Sequence, residues 1–218
     1  MVAVSSCENE NTTNQSEMVD VSFGVKFVES GSMTRGASEE YAEFYDKHIK
    51  TKELIPTDYN LTIYDLNGTQ ISTLQGSWDL TTFRLPIGKY RISGRSYGNY
   101  SKAELIFDEE IEIKSSGDIQ LTAQYGCFLL MFPSKNCETY GYRTNSKDSY
   151  NDITKIDNLY YMFVKSSYYL SIRCTADSNT IYTDIHELDV DFKYGHYYYF
   201  DIMSGSFDIP MMENGGVF

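Results

Sequence analysis

Basic residues are scarce: 18 Lys and Arg stand against 31 Asp and Glu, a formal charge of −13 over 218 residues. No Lys/Arg-rich run offsets that balance locally, so phosphate backbones and anionic headgroups are repelled, and no nucleic-acid partner is expected. No window of about 18 apolar residues exists that would make a spanning helix. Histidine occurs only at His48, His186 and His196, and no Gly-x-Ser-x-Gly, HExxH, phosphate-loop or dinucleotide fingerprint is present. The four cysteines show no CxxC or Cys/His spacing of the kind that holds zinc. These absences point away from an enzyme, and no cofactor or metal is expected.

Aromatics are abundant. Twenty Tyr and twelve Phe bring the aromatic share to 15 %, and such residues suit a pleated, half-buried surface. The patterning agrees. Val19, Val21, Phe23, Val25 and Phe27 alternate with polar or small residues, which predicts a first strand with one buried face. Further strands are expected at Tyr59–Leu66, Thr69–Leu74, Thr82–Leu85, Lys89–Ser93, Ala103–Ile113 and Ile119–Phe132. Asn67-Gly68 predicts a type I′ hairpin turn, and Pro86-Ile87-Gly88 a tight turn. One helix is expected over 38–50, with Ser38 as cap and with Tyr41, Phe44, Tyr45, His48 and Ile49 on one face. It reads as a structural insertion lying on a sheet.

Ile119–Phe132 exceeds a usual strand, so that run should pass from one sheet, or one domain, to the next. The expected division is a stub and tether over 1–18, a first β-sandwich over 19–121 carrying the helix, and a second over 122–218. Short strands are expected in the second at Glu138–Arg143, Leu159–Val164, Tyr168–Thr175, Thr180–Thr183, Glu187–Phe192 and His196–Met203. The class is all-β. Cys127 should pack as a small hydrophobe, and pairing among Cys127, Cys137 and Cys174 is left open.

Few groupings invite chemistry. Asp184, His186, Glu187, Asp189 and Asp191 form an oxygen-rich set of the kind that suits calcium, but alternation with Leu188, Val190 and Phe192 makes them a solvated strand face. Asp108-Glu109-Glu110 reads as an edge or turn charge group, since neighbours on a strand point to opposite sides. The tyrosines carry two readings. Tyr160, Tyr161, Tyr168, Tyr169, Tyr197, Tyr198 and Tyr199 place rings on both faces of their strands, so one set would be exposed to a sugar or protein, or the rings pair across strands. Phe207, Ile209 and Met211 alternate near the end as a candidate donor strand, with Pro210 restricting it to an edge.

The residues Val4-Ser5-Ser6-Cys7 resemble the end of a bacterial lipoprotein signal, in which a cysteine after small residues is acylated. Glu8-Asn9-Glu10-Asn11 resembles the signal that sends Bacteroidota lipoproteins to the outer leaflet. A full signal needs a basic and an apolar region, and only a stub precedes Cys7. Residues 8–17 lack apolar periodicity and read as a tether. Together with Thr34-Arg35-Gly36-Ala37 and the run Phe83-Arg84-Leu85-Pro86-Ile87-Gly88-Lys89-Tyr90-Arg91-Ile92, these features resemble the fimbrillin-like proteins of gut Bacteroidota. That resemblance implies two tandem transthyretin-like sandwiches and an outer-membrane lipid partner reached through Cys7. The helix departs from the pattern. The function expected is a surface lipoprotein acting as a non-catalytic binding or adhesion module with an unidentified protein or glycan partner. The alternative is a subunit or anchor of a fimbria-like assembly built by strand addition.

Overall fold

The computed structural model describes residues 17–27, 39–76, 82–135, 137–165, 169–176, 179–188, 190–203 and 206–208. The chain is mainly β. Strand β1 (Met18–Phe27) lies between β4 (Thr82–Pro86), antiparallel, and β7 (Gly117–Tyr125), parallel. Facing them is an antiparallel layer of β3 (Gln70–Gly76), β2 (Tyr59–Asp65), β5 (Gly88–Ser96) and β6 (Leu105–Ile113), in that order. The layers belong to one curled sheet. β6 and β7 pair only at Leu105↔Tyr125 and Ile106↔Gln124, which makes the corner of a sandwich-like arrangement. The period-2 pattern supplies its filling: Val19, Val21, Phe23, Leu61, Ile63, Tyr90, Ile92, Leu105, Phe107, Leu121 and Ala123 are all buried.

The Ile119–Phe132 run does pass between sheets, breaking at Gly126 and Cys127. Beyond the break, β8 (Phe128–Pro133) pairs antiparallel with β12 (Leu159–Val164) and parallel with β15 (Tyr197–Tyr199), while β11 (Thr154–Ile156) flanks β12. Every residue of β8 and β12 is buried. Leu129, Met131, Leu159, Tyr161, Phe163 and Tyr197 join the core of the first sandwich. Phe128, Leu130, Phe132, Tyr160, Met162 and Val164 turn the other way, into a second core. That core is closed by an outer sheet ordered β10 (Asn151–Asp152), β9 (Thr139–Arg143), β13 (Ser171–Ala176) and β14 (Asn179–Asp184). The middle sheet thus serves both cores. Strands β16 (Asp201–Met203) and β17 (Ser206–Asp208) pair with each other.

The helix expected over 38–50 is α1 (Glu39–Phe44), followed by one π turn over Tyr45–Ile49 in which Lys50 N–H donates to Tyr45 O at 2.9 Å. Phe44 and Ile49 are both buried, yet five residues apart they would sit roughly 140° apart on an α-helix. The wider π turn brings them to one side. Phe44 meets the ring of Tyr161 at 5.2 Å, so the helix covers the middle sheet, and Lys47 reaches Asp157 at 3.3 Å.

Two local expectations are corrected. The Asn67-Gly68 turn is not type I′, because only Gly68 has positive φ, at 81°. The carboxylate of Asp65 accepts the N–H of Asn67 at 2.9 Å and of Thr69 at 2.8 Å, stabilising a longer loop with a register shift between Ile63 and Tyr64. The described residues of 187–192 form no strand. A 3-10 turn at Ile185–Glu187 is followed by short-range bonds, Val190 N–H to Leu188 O and Phe192 N–H to Val190 O, while the Phe192 ring stacks on Phe128 at 4.9 Å. Pro86-Ile87-Gly88 makes the expected tight turn, with Ile87 alone between the two strands, and it carries the chain from β4 in one layer to β5 in the other. There Leu85 fills the core, and the buried Tyr90 hydroxyl donates to Pro86 O at 2.6 Å.

Cys137 and Cys174 form a disulfide 37 residues apart in sequence, pinning the segment before β9 to β13; Cys127 is free and buried. Replacing both bridged cysteines by Ser is expected to cost about 2–4 kcal/mol, read as a fall in urea midpoint. Tyr90→Phe leaves the Pro86 carbonyl without its donor and should cost about 1 kcal/mol with an unchanged denaturant slope.

Candidate binding surface

The middle sheet decides where the tyrosines go. Because it is covered on both sides, both parities of its strands are buried, and Tyr160, Tyr161 and Tyr197 are 8 %, 2 % and 2 % exposed. Burial takes these three away from any ligand. Their contacts are structural: the Tyr160 hydroxyl donates to Glu138 O at 2.8 Å and that of Tyr161 to Ser101 O at 3.2 Å. Burial pushes the Tyr161 phenol up to about 12. Tyr198 is partly buried, edge-on to Phe128 and Phe192; its hydroxyl accepts from Lys193 N–H and donates to Asp191 O. Tyr199 is partly buried against the first core. Tyr169 is exposed, with φ 62°, and Tyr168 lies outside the described residues.

Phe207 belongs to β17, opposite Ile202. Cys7, Ile209 and Met211 lie outside the described residues, as does Asp189. Asp184 ends β14, Glu187 sits in the 3-10 turn and Asp191 is in exposed coil; among the described residues no three His, Cys, Asp or Glu side chains gather as a metal site. Asp108 is held by Arg91, whose Nε donates to it at 2.6 Å and keeps its carboxyl below the usual range. Glu109 accepts the backbone N–H of Thr122.

A cleft forms where the first sandwich meets the middle sheet. Its volume is about 460 Å³, within the span of small-ligand sites, and Gly98, Asn99, Tyr100, Thr144, Phe163, Lys165 and Leu170 line it. The floor is apolar, since Phe163 and Leu170 are each 1 % exposed. One wall is the loop after β5. There the side-chain oxygen of Asn99 accepts the N–H groups of Ser101 and Lys102 and the Ser101 hydroxyl, each at 2.9 Å, an Asx turn that fixes the loop. Tyr100 O then accepts Phe163 N–H at 2.8 Å, and the Tyr100 ring packs on Tyr142 at 4.4 Å. These bonds hold the wall of the first sandwich against the middle and outer sheets.

Beneath the cleft lies the buried carboxylate of Glu104, which meets Lys165 Nζ at 2.8 Å and Arg95 at 3.9 Å. Its backbone is clamped as well: Gly126 N–H donates to Glu104 O at 2.9 Å, and Glu104 N–H to Cys127 Sγ at 3.3 Å. Gly98 is required here, because a Cβ on it would come within 2.6 Å of the Glu104 backbone. Aromatic rings stand at its edge: Tyr100 is exposed, and so is Tyr194, whose hydroxyl donates to Lys165 O at 2.6 Å. A preformed apolar floor, an amide, a hydroxyl, an ammonium and rings at the edge suit non-covalent binding. Sequence reasoning passed over this cleft. Its visible signal was Tyr97-Gly98-Asn99-Tyr100, two tyrosines around a turn dipeptide between strands.

No family model matches the chain, and no curated protein matches it. Similar solved structures include a fimbrial protein of Bacteroides ovatus, with 7 % identity, 86 % of this chain and 49 % of that one covered, and a TM-score of 0.48. A Bacteroides uniformis protein provisionally assigned to cell adhesion shares 8 % identity over 71 % of this chain and 90 % of its own, with a TM-score of 0.47. A fimbrial assembly protein of Parabacteroides distasonis shares 9 % over 85 % and 90 %, with a TM-score of 0.44.

Burial pushes the Cys127 thiol up to about 12. Below that pH it stays protonated and shielded, so a thiol reagent at pH 8 is expected to leave Cys127 unmodified in the folded protein and to modify it at once in denaturant. Lys165→Met strands the Glu104 carboxylate and is expected to cost about 1–3 kcal/mol, reduced from the fully buried case because Lys165 is half exposed.

Proposed function

We infer that this chain is a non-catalytic binding or adhesion module displayed on a bacterial cell surface and tethered to the outer membrane through an acylated Cys7. The observation that carries the binding role is the junction cleft, whose walls come from separate layers and are fixed by backbone hydrogen bonds before any ligand arrives. Preorganisation of that kind lowers the ordering cost of binding. The chemistry of nearby reactive groups also supports the reading: Cys127 is a buried thiol, and Glu104 is committed to Lys165. The disulfide suits an oxidising compartment outside the cytoplasm.

The test is a glycan and protein array probed with the full chain and with Tyr100→Ala and Asn99→Ala variants. A partner whose affinity falls about tenfold in the variants, with the melting temperature little changed, supports the reading; a partner bound equally by all three places binding elsewhere. The alternative, a fimbria-like subunit, draws on the terminal hairpin, in which β17 pairs only with β16 among the described residues. Light scattering on the full chain and on a chain ending before Ser206 separates the two: multimers lost with the tail favour assembly, and monomers in both favour the binding module.

A further inference from the structure

The outer face of the third layer gathers residues that neither the cores nor the cleft uses. β9 and β13 pair with Gly141 opposite Arg173 and Arg143 opposite Ser171, so the two arginines are diagonal neighbours on one face, about 7–8 Å apart. Tyr150 lies against both. The guanidinium carbons are 4.8 Å (Arg143) and 5.1 Å (Arg173) from its ring centroid, and its hydroxyl shares a 2.8 Å hydrogen bond with Ser171. Gly141 leaves room for this packing, because a Cβ there would lie 3.1 Å from Asn151 O, 3.1 Å from Arg173 Nη2 and 3.3 Å from Tyr150 Cβ. Tyr182, opposite Arg173 on β14, is 59 % exposed with its ring 5.6 Å from that of Tyr150.

In a chain of charge −13, an arginine has carboxylates to choose from, and Arg91 and Arg95 both find one. Arg143 and Arg173 do not. Asp152 and Asp184 share their face by register, yet among the described residues neither arginine is in an ion pair. Arg143 Nη1 donates to Ser146 O at 2.9 Å, and the Nε atoms of both arginines are buried without a hydrogen-bond partner. Stacking on Tyr150 therefore orders two guanidinium groups and leaves their charge and much of their donor capacity unused.

We propose that this face binds an acidic saccharide, with its carboxylate or sulfate on Arg143 and Arg173 and a sugar ring against Tyr182. A planar fork of donors matches an oxyanion, and an exposed phenol ring offers the flat, amphipathic surface that a pyranose covers. The net charge repels dense polyanions, which favours a chain carrying spaced acid groups among neutral hydroxyls. This site is separate from the junction cleft, since Tyr142, which packs on Tyr100 there, projects from the other face of β9.

Binding of the full chain to immobilised oligogalacturonate, a sulfated galactan oligosaccharide, methyl-esterified oligogalacturonate and polyglutamate is measured through a salt series. At least one acidic oligosaccharide is expected to bind, the ester is not, and affinity should fall as salt rises. R143Q/R173Q and Y182A should each weaken binding about tenfold or more. Which acidic probe binds distinguishes a carboxylate source from a sulfate one. Y182A changes an exposed side chain and keeps the test decisive if the double variant fails to fold. Equal binding of the ester, undiminished binding by Y182A, preference for polyglutamate, or no binding of either acidic oligosaccharide at millimolar concentration overturns the proposal.

Discussion

The structure depends on a sheet buried on both faces. β8 and β12 have no solvent side: alternate residues enter the first and second cores, so neither core can be removed without exposing half of each strand. Full burial of a large apolar side chain contributes roughly 1.5–3 kcal/mol, and a single pair of strands delivers that gain to two cores at once. The two cores consequently share a wall.

Such a wall creates a register problem. On a half-exposed strand, a slip of one residue sends apolar groups into water; here it would only exchange one core for another. Tyrosine hydroxyls supply the missing specificity. Tyr140 donates to Pro133 O at 3.1 Å, Tyr160 to Glu138 O and Tyr161 to Ser101 O, each a bond that a slipped strand would break inside the protein. A buried hydroxyl left alone costs about 1–3 kcal/mol, enough to penalise each wrong alignment. The Phe44–Tyr161 contact adds the helix to the same constraint, which accounts for an insertion that the strand pattern alone did not call for.

The same geometry explains what could be read in advance. β1, β2 and β5 each bury one face, and their alternation is plain in Val19 to Phe27, Leu61 and Ile63, and Tyr90 and Ile92. Leu159–Val164 is apolar at every position, so its strand is visible in the sequence but its second covered face is not, and its tyrosines read either as exposed rings or as cross-strand pairs. Asp65 changed the Asn67-Gly68 turn through a side-chain oxygen, an interaction that a dipeptide signal does not contain. The cleft and the arginine face escaped for a different reason: Asn99 meets Phe163 and Leu170, and Arg143 meets Arg173, only after strands distant in sequence have paired.

β1 carries one more implication. It is held along one edge by β7 in parallel and along the other by β4 in antiparallel register, and the chain enters it at Met18. A pull on the preceding segment, directed along the strand, loads the rungs on both edges together in shear rather than opening them one by one. The entry strand is built as a mechanical clamp, and its resistance to force is set by how many rungs must fail in the same instant.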